Sequence, residues 1–196
     1  HGGAIPSWHW ASLDEKLVEQ DIEKAKKLLK EAGYPNGFET AIKVGEPYSR
    51  EVRAATLISQ ALSRIGIDAK VQKTEWGAFN QEVFDDRNFD LEVCGWVGNV
   101  DPDGFLYTKF HSEAPWNVTG YSNPKVDELL TKGRRTANQK KRKEFYDEAQ
   151  RTIVDDVPYV FLFVREEFEA YKANKVRNYV SLPTTHTYLK YVWITD

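Results

Sequence analysis

The side chains best suited to chemistry lie in residues 95–112, which have the sequence GWVGNVDPDGFLYTKFHS. Two glycines flank a tryptophan, several short polar side chains follow, and a second aromatic group comes after them. Amides and carboxylates form directional hydrogen bonds and an indole offers a large apolar face, so this composition is typical of a loop that contacts a ligand. The candidate contact residues in this segment are Trp96, Asn99, Asp101, Asp103 and Tyr107.

A structural interpretation of the same residues is equally open. The carboxylate of Asp101 or Asp103 could cap a helix that starts at Pro102, because a short acidic side chain accepts hydrogen bonds from the free N–H groups of a first turn. Trp96 could belong to the core. These residues alone do not separate ligand contact from capping.

The spacing of the polar residues in this segment allows one kind of metal site to be tested. Asn99, Asp101, Asp103 and Gly104 match the start of a calcium-binding loop, in which oxygen ligands alternate and a glycine provides the turn. The twelfth position of such a loop needs a bidentate glutamate, and here it is Phe110. The four histidines are too scattered for a zinc pair on a helix. We therefore predict no bound metal and no other cofactor.

The motifs of common enzymes are missing from the sequence. It has no nucleophile elbow, phosphate loop or dinucleotide fingerprint. Asp101 and Asp103 stand too close in sequence for the opposed acid and base that glycoside hydrolysis requires. A glycosylation triplet at Asn117 is interpreted as a chance match. The residue types and spacings alone therefore point to no particular reaction.

Composition limits the class of protein. With 196 residues, of which 41% are hydrophobic, the chain can bury a core as one domain or at most two small ones. A formal net charge of -3 argues against a nucleic-acid surface. The basic run at residues 140–143 has glutamates close behind it in a helical pattern, so we predict a solvated helix face there. No apolar run approaches the ~20 residues that cross a bilayer.

The chain contains no methionine and one cysteine, Cys94. A single cysteine cannot form an internal disulfide. Because an initiator methionine and a signal-peptide pattern are both absent from the sequence, we infer a piece of a longer protein or a processed form.

Helix and strand patterns alternate along the chain. Apolar residues at helical spacing predict helices at residues 21–33, 49–66, 76–84, 123–130 and 138–156, with a further helical turn around 168–171. Alternating apolar residues predict strands at 38–44, 67–71 and 89–93, and apolar runs predict strands at 159–164, covered on both faces, and at 188–194.

This alternation predicts an α/β fold in which a sheet is flanked by helices on both faces. Ligands of such sheets bind beyond the carboxyl ends of the strands. The loop after Val93 therefore occupies the position where a ligand is expected.

Four segments in order resemble one protein family. They are DIEKAKKLLKEAGYPNGFE, FDLEVCGWVGNVDPDGFLYTKFHS, GYSNPKVDELL and RKEFYDEAQRTIVDDVPYVFLF, and together they span nearly all of residues 21–163. The chain resembles the C-terminal lobe of the solute-binding proteins of ABC importers, in the family that carries peptides, nickel and related solutes.

The resemblance implies a type II periplasmic-binding-protein lobe. Residues 1–20 would be an irregular N-terminal segment, 21–165 the α/β lobe, and 166–196 a tail that closes this lobe or returns toward an N-terminal lobe missing from this chain. It also implies an exported protein, at the periplasmic or extracellular face of the membrane and often lipid-anchored, that catalyses nothing and delivers a small solute to ABC permease subunits.

The resemblance carries over to few single residues. In peptide-binding relatives an aspartate shortly after the Gly-Trp pair holds the amino terminus of the peptide, and the aromatic of that pair lines the pocket. Trp96 matches the aromatic, whereas the place of the aspartate is taken by Asn99 or, if the loop is shifted, by Asp101. A neutral amide gives a cationic amine no charge-assisted hydrogen bond. An oligosaccharide that stacks on Trp96, Trp116 or Tyr107 is therefore the alternative solute.

A non-transport interaction module is the remaining alternative. Such a module would use exposed aromatic residues, for which Trp8, Trp10 and Trp193 are candidates. We interpret these three instead as covering the junction with the other lobe, because tryptophan commonly buries much of its area.

Overall fold

The computed structural model describes residues 3–13, 15, 19–97, 100–182 and 187–195. The chain divides into two units. The first, here called the helical unit, comprises His1–Leu17, Val97–Ser112 and Ser122–Asp196. The second, here called the sheet unit, comprises Val18–Trp96 and Glu113–Tyr121.

The sheet unit has a parallel sheet at its centre, with the strand order β2-β1-β3. Its elements in chain order are α1 (Ile22–Glu31), β1 (Glu39–Glu46), α2 (Ser49–Ser63), β2 (Asp68–Glu75), α3 (Trp76–Asn80), a π-helical turn (Gln81–Asp85) and β3 (Leu91–Val93). The helices and strands predicted for residues 21–93 are confirmed, except that the third helix continues as a π-helical turn after Asn80, and the α/β class is confirmed as well.

Helices cover both faces of this sheet. Ile42 and Val44 of β1 are fully buried, and side chains of α1 and α2, among them Leu29 and Ile58, pack on their face. Gly45 points to the opposite face because side chains alternate along a strand. A Cβ atom on Gly45 would lie 2.6 Å from the Trp76 ring of α3, so the second helical layer requires a glycine there.

The predicted cap of α1 is confirmed. The Asp21 carboxylate accepts a 2.8 Å hydrogen bond from the backbone N–H of Lys24. This contact satisfies one of the free donors of the first turn and fixes where the helix begins.

The helical unit is built on two long helices. Its elements are a 3₁₀ turn (Pro102–Gly104), α4 (Tyr107–Phe110), α5 (Pro124–Arg135), α6 (Gln139–Asp156) and a short antiparallel pair, β4 (Val176–Arg177) with β5 (Trp193–Ile194). Asn123 caps α5, as predicted, by accepting from the N–H groups of Lys125 and Val126. A Cβ on Gly133 would lie 2.5 Å from the Tyr146 ring, so glycine permits α5 and α6 to approach closely.

The C-terminal predictions are wrong in three places. Residues 159–164 form no strand, and most of their apolar side chains are exposed. The helical turn predicted around 168–171 is absent, and the strand predicted at 188–194 is reduced to Trp193–Ile194. An apolar run becomes a covered strand only where neighbouring strands pair with it, and no strand pairs with residues 159–164 in the described part of the chain. No helix among the described residues is both long and apolar enough to cross a bilayer.

Candidate functional site

Three aromatic rings of the sheet unit pack against one another just after β3. Trp96 follows the strand, and its ring centroid lies 5.6 Å from that of Phe84 and 6.0 Å from that of Trp116. Phe84 and Trp116 also lie 6.0 Å apart. The interplanar angles of the three pairs are 68–88°, the edge-to-face arrangement that aromatic pairs favour. These residues are named the ring cluster below.

The π-helical turn positions the Phe84 ring. The N–H of Asp86 donates to the carbonyl of Gln81, five residues earlier. In such a wider turn, side chains five residues apart lie closer to the same face than in an α-helix. Phe84 therefore contacts the buried Phe79, five residues earlier, with ring centroids 6.0 Å apart. It also contacts Trp96 and Trp116. The prediction placed Phe84 on the buried face of an ordinary helix, and the extra reach of this turn has no signature in the residue types.

Trp116 directly precedes a turn that is constrained by the side-chain hydrogen bonds of Asn117. The Asn117 side chain is 2% exposed; its amide nitrogen donates to the carbonyl of Tyr121 and its oxygen accepts from the N–H of Tyr121. The turn thus has little conformational freedom, yet it leaves 49% of Trp116 exposed. Because the Asn117 amide is already engaged, the triplet that resembles a glycosylation site has a structural role here.

Asp101 is held by an arginine. Its carboxylate accepts from the N–H of Asp103 at the start of the 3₁₀ turn, which confirms the capping interpretation for this residue. Both of its oxygens also accept from the Arg142 guanidinium, at 2.7 and 2.9 Å. These hydrogen bonds from Arg142 lower the pKa of Asp101. The carboxylate is therefore ionised and already neutralised within the helical unit.

Asp103 is held by a second arginine. Arg134 donates to its two oxygens at 2.7 and 2.8 Å. The same guanidinium lies over the Tyr107 ring, 3.4 Å from its centroid, and the His111 ring stacks on Tyr107 with a centroid distance of 4.3 Å. Tyr107 thus contacts a guanidinium and an imidazole at once.

A buried histidine fixes the residue before Asp101. The ring of His9 accepts from the N–H of Ala11 through Nδ1, so Nε2 carries the proton and donates to the carbonyl of Val100 at 2.8 Å. His9 is 5% exposed. The loop is therefore anchored by hydrogen bonds on both sides of Asp101.

The six predicted contact residues separate into groups. The structure brings Trp96 and Trp116 into direct contact in the sheet unit. In the helical unit, Asp103 and Tyr107 both contact Arg134, whereas Asp101 is bound by Arg142. Asn99 lies outside the described residues.

The prediction of a solvated face at residues 140–143 is wrong for Arg142. Its side chain is only 18% exposed, and it also donates to the carbonyl of Gly133 and the hydroxyl of Tyr146. Arg142 precedes Tyr146 by four residues, and positions four apart share a helix face. The four-residue spacing from the buried Tyr146 is therefore the sequence signal by which Arg142 could have been predicted to lie on the buried side of α6.

The described residues contain no group of side chains arranged to bind a metal ion. No group of three or more His, Cys, Asp or Glu side chains among those residues is placed to hold an ion. The two carboxylates of the calcium-like pattern face arginines, whose charge opposes a bound cation.

Comparison with known proteins identifies the family. Residues 2–117, more than half of the chain, match the family described as bacterial extracellular solute-binding proteins, family 5 Middle. The chain is 32% identical over 188 residues to the dipeptide-binding protein of Escherichia coli (strain K12), covering 91% of this chain and 35% of that protein.

Solved structures agree with this match. A periplasmic binding protein, DppA, from Helicobacter pylori in complex with the peptide STSA has a TM-score of 0.74 and 36% identity, over 82% of this chain and 32% of that one. A dipeptide-binding protein from Pseudoalteromonas sp. SM9913 in complex with Met-Leu has a TM-score of 0.73 and 32% identity, over 81% and 33%. The chain thus spans about a third of the length of these relatives. It belongs to family 5 of the bacterial extracellular solute-binding proteins, a family of binding proteins and not of enzymes.

Proposed function

We propose that this chain is one lobe of a two-lobed extracytoplasmic protein that captures a peptide and delivers it to the permease of an ABC importer. One observation carries the proposal: Trp96 and Trp116 form a partly exposed aromatic surface beyond the carboxyl end of β3, where parallel sheets bind ligands. Family membership and the peptide complexes of two relatives support it.

The proposed solute-contacting residues differ in what they contribute. Trp96 and Trp116 offer ring faces and edges to the solute. Tyr107 and Asn99 are proposed to add contacts from the loop that follows. Asp101 and Asp103 offer hydrogen-bond acceptors rather than free charge, because an arginine already neutralises each of them. These contact residues are Trp96, Asn99, Asp101, Asp103, Tyr107 and Trp116.

Lobe closure is the proposed mechanism of capture. A solute on the aromatic surface would bridge to the other lobe, and closure would remove water from the polar contacts between them. Hydrogen bonds strengthen when water is excluded, so the closed form would be stabilised by the solute and recognised by the permease.

Exposed apolar side chains support the proposal that another part of the protein covers this chain. We propose that residues 21–165 form the lobe and that 166–196 form a tail that returns toward the rest of the protein. Large apolar side chains left in water mark surfaces that another polypeptide covers. The most exposed of these in the C-terminal part are Val160, Phe163, Phe168, Val180 and Ile194, at 62–89%.

The proposed location is the outer face of the cytoplasmic membrane, with lipid anchoring as part of the proposal. Labelling of the full-length protein with radioactive palmitate in its host tests the anchor. Recovery of unlabelled protein in the soluble extracytoplasmic fraction would contradict anchoring and leave export intact.

A thermal-shift screen of the full-length protein tests the proposal, with peptides, oligosaccharides and nickel chelates as solutes. Peptides are expected to raise the melting temperature, because a ligand at 100 times its Kd stabilises the folded state by about 2.7 kcal/mol. Trp116→Ala is expected to reduce the shift, whereas Trp8→Ala, which removes an equally exposed tryptophan of the helical unit, is the matched control.

The outcomes separate the candidate functions. A shift with oligosaccharides alone would favour the second candidate solute, which the half-exposed Trp116 supports because sugar rings stack on indoles. No shift with any solute would contradict a role in solute capture. We also expect the 196-residue chain alone to bind weakly or undetectably, and tight binding by it would contradict the two-lobe proposal.

A further inference from the structure

Two carboxylates near the end of β3 have no basic partner among the described residues. Glu51, on α2, extends its Oε1 atom to within 3.1 Å of the position that a Cβ of Gly95 would occupy, next to Trp96 in the chain. Glu92, on β3, has an Oε2 atom that is buried and without a hydrogen-bond partner in the described residues. Within those same ranges, neither carboxylate forms an ion pair with a lysine or arginine.

The one lysine that faces Glu92 across the sheet is already engaged. Lys43 is the register partner of Glu92 on β1, so both side chains point to the same face. Its amine donates to Glu82 and to the carbonyl of Asn88, each at 2.5 Å. Lys43 is therefore not the partner of the Glu92 carboxylate.

Cys94 follows Glu92 in the chain and is close enough to both carboxylates for its pKa to respond to them, although burial is the larger cause. Burial, together with the charges of Glu92 and Glu51, raises the pKa of Cys94 to about 12. Only the smaller, electrostatic part of this shift bears on a ligand, because carboxylates that disfavour a thiolate favour a cation at the same place.

The ring cluster adds a second attraction for a cation. The face of an aromatic ring carries the negative side of its quadrupole, and tryptophan is the strongest ring of this kind. The three rings of the cluster lie nearly perpendicular to one another, and Trp116 is about half exposed. The sheet unit thus brings the Glu51 carboxylate next to Gly95, the residue that precedes the Trp96 ring of the cluster.

We propose that Glu51 and the ring cluster bind a primary ammonium group of the solute, with the Glu51 carboxylate as hydrogen-bond acceptor. This inference rests on the proposed function and deepens it. The carboxylates of the loop are a poorer choice, because the guanidinium groups of Arg134 and Arg142 oppose a second cation beside them. Glycine at position 95 favours this placement, since a Cβ there would lie 3.1 Å from Oε1 of Glu51 and would require the carboxylate to shift by a few tenths of an ångström.

Binding of three tripeptides to the full-length protein, measured by isothermal titration calorimetry, tests this site. The peptides are Ala-Ala-Ala, N-acetyl-Ala-Ala-Ala, and N-acetyl-Ala-Lys-Ala, which carries its only ammonium group on a side chain. Ala-Ala-Ala is expected to bind at least about 10-fold tighter than its acetylated form, because a hydrogen bond to a charged group contributes about that factor or more. The lysine peptide distinguishes a terminal from a side-chain ammonium.

Variants assign the effect to residues. Glu51→Gln is expected to weaken Ala-Ala-Ala about 10-fold and to leave the acetylated peptide unchanged. Trp116→Leu is expected to weaken the ammonium peptide several-fold more than the acetylated one. Glu31→Gln, at an exposed glutamate of α1, is the matched control and is expected to change neither.

Three results would overturn the inference. They are equal affinity of the wild type for free and acetylated peptides, an equal loss of both peptides in Glu51→Gln, and no loss of either peptide in that variant. Each of these leaves peptide capture itself intact. Failure of the wild type to bind any peptide overturns the proposed function and this inference with it.

Discussion

The two acidic regions of the molecule differ in how their charge is balanced. In the helical unit, Asp101 and Asp103 each accept two hydrogen bonds from one arginine. In the sheet unit, Glu51 and Glu92 have no basic partner among the described residues, and one oxygen of Glu92 is buried without a hydrogen bond. The difference teaches that an arginine keeps a carboxylate ionised as part of the fold. A carboxylate without a counterion takes up a proton more readily where it is buried, as Glu92 does, and stays available to a cationic ligand where a ligand can reach it, as proposed for Glu51.

The arginine that balances Asp101 is expected to have the largest effect on stability. Arg142→Met removes the bonds to Asp101 and leaves the carbonyl of Gly133 and the hydroxyl of Tyr146 without this donor. We expect the free energy of unfolding to fall by about 3 kcal/mol, measured by urea unfolding of the purified protein.

Lys140→Met provides the control for Arg142. Lys140 lies in the same basic run and is exposed, so its replacement is expected to change stability by less than about 0.5 kcal/mol. Equal, small effects of both variants would mean that Arg142 is solvated, as the sequence predicted. The two acidic regions would then not differ in how their charge is balanced.

The second prediction concerns the pH dependence that Glu92 confers. Burial raises the pKa of Glu92 to about 7, from an ordinary value of 4.5. The folded state therefore binds more protons than the unfolded state between pH 4.5 and 7, and stability falls as the pH rises through that window, by at most about 3 kcal/mol. Glu92→Gln has no such titration, so it is expected to be more stable than the wild type at pH 8 and to show little difference at pH 4.5.

Urea unfolding at pH 4.5, 6 and 8 measures the effect of Glu92. Glu31→Gln should keep the pH profile of the wild type, because Glu31 is exposed. A profile for Glu92→Gln that parallels the wild type would show that Glu92 is balanced by a partner, which would make the two acidic regions alike.

A smaller effect is expected at the second arginine. Arg134 is 44% exposed, so Arg134→Met should lower the free energy of unfolding by about 1 kcal/mol through loss of the Asp103 pair and of the contact with Tyr107. A double-mutant cycle with Asp103→Asn isolates the ion pair, and we expect a coupling of about 0.5 kcal/mol that weakens in high salt. Additive effects would mean that Arg134 stabilises through Tyr107 alone.

The sequence predicted the elements of the sheet unit, and the start of α5 in the helical unit, well. Cap residues and apolar periodicity are local signals, so Asp21, Asn123 and the strand patterns at 38–44 and 67–71 marked helices and strands near their observed positions. The C-terminal strand at 159–164 was predicted wrongly because its apolar run needs pairing partners, which a local pattern does not contain.

Charge balance could not be predicted from the same patterns. Arg134 and Arg142 lie 31 and 41 residues beyond the aspartates that they bind, and nothing in either segment links the two. Glu51 is separated from Gly95 by the whole of β2 and α3, so only the folded sheet brings it to the end of β3. The loop after β3 was found from its composition, whereas the partners of its acidic residues came from the structure.

Replacement of Glu51 is expected to have the smallest effect on the free energy of unfolding. A small effect is what distinguishes a binding residue from a structural one. Because Glu51 has no basic partner in the described ranges, Glu51→Gln leaves no charge without its counterion, and the free energy of unfolding should stay within about 0.5 kcal/mol of the wild-type value. A binding residue lowers affinity without lowering stability, whereas a structural residue lowers both. Urea unfolding without solute, performed beside the calorimetry, makes that separation. A loss of 2 kcal/mol or more in the solute-free protein would mean that Glu51, like Asp101, has a hidden partner, because removing half of a balanced pair has that cost.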